Sequence, residues 1–222
     1  MGLKSSKLSP RQSGELLKLF VAGATARTAA GLVGVHRNAA ALFLSKVRAV
    51  VAAHQERAMA DAFDGPVEID ESYFGGRRKG KRGRGAAGKV AVFGIPKRGG
   101  RVYARMIADC GQATLVPVVR RRVRPDSVAH SDSWPGYDTL SVEGYRHERV
   151  NPDEGLVAAG GRPINGIENF WNQAKRHLRK FNGVPKESFP LLPQECVWRF
   201  DSGTPREQLE SLRKLLRRRI IS

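Results

Sequence analysis

The chain has 222 residues, of which 41% are hydrophobic and 27% are charged, a composition that excludes a disordered or collagen-like protein. Two cysteines are too few for a disulfide framework or a zinc module of paired cysteines, and the sequence shows neither a secretory signal nor an apolar stretch of the roughly 20 residues that span a bilayer. Because 39 Lys and Arg stand against 21 Asp and Glu, for a formal net charge of +18, we expect a cytoplasmic protein with an anionic partner and no membrane.

The first 58 residues are predicted to form a helix-turn-helix DNA-binding domain. Ser9, followed by a proline, is typical of a helix start, and Thr25 can cap a second, short helix. Gly34 favours a turn before a third helix over about residues 36–54. The end of that helix that would enter a DNA major groove carries three polar residues, His36, Arg37 and Asn38. An ordinary three-helix packing unit would show the same pattern.

A block of alternating strands and helices follows over residues 64–203. Strands are predicted over residues 66–72, 89–95, 101–109 and 127–134. Helices are predicted over residues 111–123 and 164–183, the second with an apolar stripe at helical spacing. This alternation indicates an α/β fold with a mixed sheet flanked by helices. Residues 204–222 are predicted to form a basic amphipathic helix, and the sequence leaves open whether it is a dimer contact or a DNA contact.

The positive charge is clustered in four runs, over residues 77–84, 120–124, 175–180 and 213–219. The densest run, 77–84, places six basic side chains in a glycine-rich loop that can follow a phosphate backbone. Its basic residues are Arg77, Arg78, Lys79, Lys81, Arg82 and Arg84. A solvated basic surface would explain any one run. Four runs together favour binding to a polyphosphate such as DNA, with a strong dependence on salt.

Three carboxylates stand out in this basic chain because they lie at the ends of predicted elements. Asp70 and Asp132 lie near strand ends, and Glu168 lies in the first turn or so of the 164–183 helix. Brought together, three carboxylates would repel one another unless a divalent cation lay between them, and Mg²⁺ suits such hard oxygen ligands. Taken singly, Asp132 is also explained as a turn residue, and Glu168 as an acid favoured by the helix dipole.

Several neighbours of these carboxylates are candidate supporting residues. The polar face of the 164–183 helix carries, beside Glu168, the residues Asn165, Asn172 and Lys175. His130 precedes Asp132 by two residues and would share its face of the strand. We therefore expect the two asparagines and His130 to support metal ligands through hydrogen bonds.

The spacing of the acidic residues resembles that of the DDE-type transposases of bacterial insertion sequences. Thirty-five residues separate Asp132 from Glu168, and Asp70 lies upstream of both. Lys175 follows Glu168 by seven residues, two helical turns on the same face. Within these transposases the sequence is most similar to the small ISXO-like group. The stretches that carry the resemblance are IDESYFGG (69–76), HSDSWPGYDTL (130–140), INGIENFWNQAKRHLRKFNG (164–183) and QECVWRFD (194–201).

The resemblance implies an RNase H-like fold for residues 64–203 and a metal-dependent transposase. Such an enzyme would cleave the DNA at the ends of a transposon and transfer the freed 3′-hydroxyl into target DNA. Asp70, Asp132 and Glu168 would hold two Mg²⁺ ions, for which Mn²⁺ can substitute.

The resemblance also implies the partners. Lys175 would contact DNA near the cleavage point, with Arg176 beside it, and residues 1–58 would bind the terminal inverted repeats. Double-stranded DNA, as inverted repeat and as target, is thus the expected partner. We expect a homodimer or larger oligomer on that DNA, associated with a bacterial nucleoid.

The sequence departs from the family pattern at several positions. It lacks the cysteine-rich zinc module that many relatives carry. Pro152 and Pro163 stand where histidines are frequent, and Asp201 stands where an asparagine is usual. Since some members have Asn as the third acidic position, Asn165 is a possible partner of or substitute for Glu168. Two alternatives stay open: a DNA-binding repressor whose α/β part serves only dimerisation, and a structure-selective nuclease of the same fold.

Overall fold

The computed structural model describes residues 8–59, 62–75, 89–97, 100–131, 146–149, 157–158, 162–163, 166–181 and 184–221. The chain divides into two compact units. The first unit consists of residues 1–58 and 177–222, and the second consists of residues 59–176. Each unit has a hydrophobic core of its own. Within the described ranges, no helix is long and apolar enough to cross a membrane.

Three helices open the first unit: α1 (Pro10–Val21), α2 (Ala26–Val33) and α3 (Arg37–Ala58). Ser9 forms a capping box with Gln12 at the start of α1, and Thr25 caps α2 through its side-chain oxygen. Gly34 ends α2 with a left-handed φ of 71°, a conformation that glycine adopts without strain. The three predicted helices are confirmed, and the third continues four residues beyond the expected end.

The second unit contains two three-stranded arrangements. One is antiparallel and consists of β2 (Asp70–Phe74), β3 (Val90–Pro96) and β4 (Val102–Ile107). The other is parallel and consists of β1 (Val67–Glu68), β5 (Val128–Ser131) and β6 (Arg146–Arg149). A short antiparallel pair, β7 (Val157–Ala158) with β8 (Arg162–Pro163), completes the described strands. The predicted α/β class with mixed strand directions is confirmed.

The strand predicted over residues 66–72 is divided at Ile69. Before this residue β1 pairs with β5, and after it β2 pairs with β3. The amide of Ile69 itself donates to the carbonyl of His130 at 2.8 Å, so the chain passes there from a parallel neighbour to an antiparallel one. Ile69 is almost fully buried and lies in the core of this unit.

Two helices of the second unit follow the predicted pattern. Helix α4 (Gln112–Arg122) connects β4 to β5 and buries Leu115 and Val119 in the core. Helix α5 (Gly166–Leu178) buries the predicted apolar stripe through Ile167, Trp171 and Ala174. Its described α-helical residues end at Leu178, short of the predicted end at residue 183.

Helices α6 (Leu191–Asp201) and α7 (Pro205–Ile221) belong to the first unit. Helix α6 contacts α3, and α7 contacts both α1 and α3. Trp198 of α6 is almost fully buried, with its ring centroid 6.0 Å from that of Phe20. Residues 177–222 thus belong to the same compact unit as the N-terminal helices. The predicted domains, residues 1–58, 64–203 and 204–222, stay a prediction.

Candidate active site

Asp70 is the first residue of β2 and is half-buried. Its Oδ1 accepts a hydrogen bond from the amide of Glu71 at 2.8 Å. Its Oδ2 accepts a hydrogen bond from the indole Nε1 of Trp171, on α5, at 2.9 Å. Two donors thus fix the orientation of the Asp70 carboxylate, and one of them comes from the helix that carries Glu168.

Gly94 makes room for this contact. It lies opposite Asp70 in the pairing of β2 with β3. A Cβ atom at position 94 would lie 2.7 Å from Cζ2 of Trp171 and 2.9 Å from Cδ1 of Ile167, distances that real Cβ atoms do not reach. The absence of a side chain at Gly94 therefore allows α5 to lie against the strand next to Asp70.

Glu68 provides a second contact between the strand and α5. It is a buried carboxylate, and its Oε2 accepts a hydrogen bond from the amide of Ile167 at 2.8 Å. This amide lies in the first turn of α5, where backbone donors have no partner within the helix and where negative charge is favourable. A Cβ atom at Gly166 would lie 3.3 Å from both carboxylate oxygens of Glu68, so the helix start fits closely against this side chain.

Glu168 lies on α5 between these two contacts. It follows Ile167 directly and precedes Trp171 by three residues, so it lies within one helical turn of both. Its side chain is exposed, as are those of Asn172 and Lys175, one and two turns further along. The structure therefore confirms the polar face predicted for this helix. That these side chains act in catalysis stays a prediction.

Several predicted site residues lie outside the described residues. They are Asp132, Asn165 and the basic residues Arg77, Arg78, Lys79, Lys81, Arg82 and Arg84. Among the residues that are described, no three His, Cys, Asp or Glu side chains form a metal-binding group. The roles predicted for Asp132, for Asn165 and for the six basic residues stay predictions.

His130 lies in β5, two residues before Asp132, and is buried. Its Nδ1 lies 3.4 Å from Oε2 of Glu148, on the neighbouring strand β6. Glu148 lies in β6, and its side chain is 33% exposed. His130 thus lies close to a carboxylate that is not among the predicted site residues.

The predicted DNA-reading residues lie at the start of α3, where His36, Arg37 and Asn38 are all exposed. The amide of Asn38 donates to Nδ1 of His36 at 3.2 Å, so His36 satisfies one of the backbone donors at the helix start. The predicted exposure is confirmed. Contact with DNA stays a prediction for all three residues, as it does for the exposed Arg176.

Residues 62–201 match the family model of the ISXO2-like transposase domain. The chain belongs to this transposase family. A relative from Haemophilus influenzae, an uncharacterized transposase-like protein, is 41% identical over 121 residues, which cover 54% of this chain and 98% of that protein. An uncharacterized protein in the transposable element ISH50 of Halobacterium salinarum is 27% identical over 141 residues, which cover 56% of this chain and 48% of that protein.

Two solved structures with distant similarity to this transposase contain Mos1. The Mos1 strand transfer complex is 14% identical, with a TM-score of 0.38, over 95% of this chain and 77% of that chain. A pre-cleavage Mos1 transpososome is 12% identical, with a TM-score of 0.36, over 96% of this chain and 79% of that chain.

The transposase has a further buried carboxylate that sequence reasoning missed, Glu195 of α6. Its Oε2 accepts from Nε of Arg48 at 2.6 Å, and its Oε1 accepts from Nε of Arg199 and Nε2 of His177, both at 2.9 Å. Burial alone would raise the pKa of Glu195, but the His177 hydrogen bond and the charges of Arg48 and Arg199 outweigh it and hold that pKa at about 2.

The same cluster reaches the end of α1. Arg199 donates to the carbonyl of Val21 at 2.9 Å and also to that of Phe20, so it satisfies acceptors that a helix end leaves without partners. With Arg48 on α3, Glu195 therefore joins three helices of the first unit. We assign this cluster to stability rather than to the candidate active site.

Proposed function

We propose that this transposase cleaves the DNA at the ends of its element and joins the freed 3′-hydroxyls to target DNA. On this proposal Asp70, Asp132 and Glu168 are the catalytic carboxylates of an RNase H-like fold. The observation that carries the proposal is the pair of hydrogen bonds from α5 to the β1–β2 segment. They are the bond from Ile167 to Glu68 and the bond from Trp171 to Asp70. They join the strand that bears one carboxylate to the helical turn that bears another.

Strand register supports the inclusion of Asp132. Strand β5 runs parallel to β1, with His130 opposite Glu68. The described part of β5 ends at Ser131, and the next Cα atom of a chain lies only about 3.8 Å further on. The described part of β5 thus ends beside the point where β1 is followed by β2 and Asp70. Because Asp132 is the next residue in the sequence, this register supports its inclusion in the proposed site. An RNase H-like fold is further supported by the mixture of antiparallel and parallel strands around this segment.

The donor chemistry fits Mg²⁺, which prefers carboxylate and water oxygens. The described contacts of the Asp70 carboxylate with Trp171 and with the Glu71 amide come from neutral donors, which orient a carboxylate without cancelling its charge. Asp70, Asp132 and Glu168 would together hold two ions, with Mn²⁺ as a substitute. Bound there, the metal would lower the pKa of a water and stabilise the departing oxygen. Of the three carboxylates, Asp70 is the one whose oxygens are oriented by described hydrogen bonds, from the Glu71 amide and the Trp171 indole.

The proposal assigns DNA contacts to both units. Lys175 and Arg176 are exposed on the helix that carries Glu168, where positive charge would hold a phosphate backbone beside the carboxylates. In the first unit the exposed start of α3 would read base edges in the major groove. The basic loop of residues 77–84 would add phosphate contacts. A dimer or larger assembly would hold two transposon ends together.

The test is cleavage of duplex DNA taken from the flanks of the reading frame, with Mg²⁺ and the full chain. We expect Asp70→Asn, Asp132→Ala and Glu168→Gln each to lower nicking by about 100-fold or more, because the loss of a mere hydrogen-bonding partner of a metal ligand already costs roughly 10- to 100-fold. Asp126→Asn, in an exposed turn of the same unit, is the matched control and should retain activity. An Asp132→Ala protein that still nicks the DNA would refute the assignment.

The products of the same assay separate the proposal from its two alternatives. Joined molecules that contain element and target DNA are expected from a transposase. A structure-selective nuclease would give nicks without joined products. A repressor would bind the DNA without cutting it, and its binding would not respond to the three carboxylate substitutions.

A further inference from the structure

The last helix, α7, uses its apolar face within its own chain. Leu212 is fully buried and Leu216 nearly so, in the core that they share with α1 and α3. Gln208, one turn before Leu212, is also buried and donates to the carbonyls of Arg199 and Gly203, both at 3.1 Å. As far as Leu216, the described apolar side of this helix therefore packs within its own chain.

The opposite face of α7 is basic and exposed. It carries Arg213, Lys214 and Arg217, which we call the α7 basic face. No acidic residue follows Glu210 in the sequence. The two acids of the first half of the helix have partners of their own: Glu207 accepts from the amide and hydroxyl of Thr204 at 2.7 Å, and Glu210 lies 3.4 Å from Arg206.

The helix dipole does not explain this charge. Its stabilisation of cations is confined to the last helical turn, whereas Arg213 and Lys214 lie about two turns before the end at Ile221. Arg213 and Arg217 are also four residues apart, a spacing at which like charges destabilise a helix. Arg213 and Arg217 are thus an unfavourable pair for the isolated helix, whereas Lys214 follows Glu210 at a favourable spacing of four residues. An external anion would offset the cost of the Arg213–Arg217 repulsion.

We propose that the α7 basic face binds the phosphate backbone of DNA. The proposal rests on the proposed function, which makes duplex DNA the polyanion that this chain meets. It is further supported by the first unit itself, because α7 packs on α3, the helix whose exposed start carries His36, Arg37 and Asn38. One unit thus presents base-reading residues and a separate backbone-binding face. Of the two contacts that the sequence leaves open for this helix, the proposal favours the contact with DNA.

The test measures DNA affinity against salt concentration with the full chain and without divalent metal. The variant R213Q/K214Q/R217Q removes the α7 basic face. Its matched control, K18Q/R57Q/R206Q, removes the same number of exposed charges from the same unit. Each control residue has a partner within its own helix, in order Glu15, the Ala53 carbonyl and Glu210.

The logarithm of the DNA-binding constant decreases linearly with the logarithm of the salt concentration. The magnitude of this slope decreases by about 0.9 for each phosphate contact that is lost. We therefore expect the slope of the basic-face variant to be shallower than that of the wild type by about 2 to 3. Its affinity should decrease equally for transposon-end DNA and for unrelated DNA. The slope of the control variant should differ from the wild-type slope by no more than about 0.9, the value for one phosphate contact. Melting curves that match the wild type would show that the variant remains folded.

An unchanged slope in the basic-face variant would overturn the proposal, as would an equal fall in the control. Tighter wild-type binding to duplex RNA than to DNA of equal length, abolished by the basic-face variant, would assign the face to RNA and overturn it as well. The affinity measurement needs no metal, so it tests the α7 basic face independently of cleavage. A wild-type protein that binds DNA but does not cleave it would refute the proposed chemistry only. A wild-type protein that binds no DNA would refute both proposals.

Discussion

Trp171 donates its indole N–H to Oδ2 of Asp70 at 2.9 Å, across 101 residues of sequence. The Trp171 ring is buried between the strand and α5, with its Phe170 neighbour 4.8 Å away between centroids. Most buried indole N–H groups have an acceptor, and for Trp171 the acceptor is the candidate catalytic carboxylate. Packing of the helix and orientation of the site are therefore achieved by one side chain.

Trp171→Phe separates these two roles because it keeps an aromatic ring and removes the donor. We expect DNA cleavage to fall about 10- to 100-fold, as for loss of an outer partner of a metal ligand. The Mg²⁺ concentration for half-maximal cleavage should rise, because the Asp70 carboxylate is less well oriented. A metal titration of cleavage rate measures both effects.

The control for this variant is Trp198→Phe. Trp198 is equally buried but lies in the first unit, and its Nε1 has no hydrogen-bond partner among the described residues. Removing its N–H should leave cleavage and its metal dependence unchanged. If both tryptophan variants lost activity in parallel, with unchanged metal dependence, the Trp171 hydrogen bond would have no special role.

Gly94→Ala is expected to disturb the site through packing alone. The new Cβ would meet Trp171 at 2.7 Å, and overpacking of this kind typically costs about 1–3 kcal/mol of unfolding free energy. Urea denaturation measures the loss of stability, and cleavage should decline with it because α5 is displaced from Asp70.

Gly14→Ala is the control for this variant. At Gly14, within α1, an added Cβ meets nothing within 4 Å, so this substitution should stabilise the protein by about 0.5–1 kcal/mol.

Glu68→Ala removes the carboxylate that accepts the hydrogen bond of the Ile167 amide, so this buried donor loses its acceptor. We expect a loss of about 1–3 kcal/mol in unfolding free energy, the usual cost of an unsatisfied buried polar group. Glu68→Gln keeps a carbonyl acceptor and should recover most of this stability. A glutamine variant as unstable as the alanine variant would show that the charge of Glu68, rather than its hydrogen bond, holds the helix start.

Local features of the fold were predictable from sequence, because their signals lie within a few residues. Ser9, Thr25 and Gly34 each act on the backbone next to them, and all three mark helix ends as predicted. The apolar stripe of α5 is likewise a property of one helix. Such features depend on spacing alone, which a sequence displays directly.

The contacts that build the candidate site were not predictable in this way. No local pattern pairs Trp171 with Asp70, or Glu68 with the Ile167 amide, because the two partners of each bond lie about 100 residues apart. The packing of α6 and α7 against the N-terminal helices likewise joins elements that are distant in the sequence. An apolar helix face shows that it is buried but not which element covers it.

Glu195 gives the protein a predictable response to acid. Its pKa of about 2 lies below the ordinary value of 4.5, so the unfolded chain binds a proton more readily than the folded one. The stabilisation is therefore complete above about pH 4.5 and is lost as the pH falls toward 2. The pKa of His177 is lowered as well, mainly by its burial and despite its hydrogen bond to Glu195. Protonation of this histidine in the unfolded chain therefore removes further stability as the pH falls below the ordinary histidine range.

Glu195→Gln should flatten this acid response and lower stability at neutral pH. Breaking a buried ion pair from one side typically costs about 3–5 kcal/mol, because the remaining charges of Arg48 and Arg199 lose their partner. Unfolding free energies measured by denaturant between pH 2 and pH 7 would show a shallower slope below pH 4.5 than the wild type. Glu15→Gln, which removes an exposed carboxylate paired with Lys18, should change neither the slope nor the stability appreciably. Equal acid responses in the wild type and the Glu195 variant would mean that other carboxylates govern acid unfolding, and that the cluster joins its three helices without setting their pH dependence.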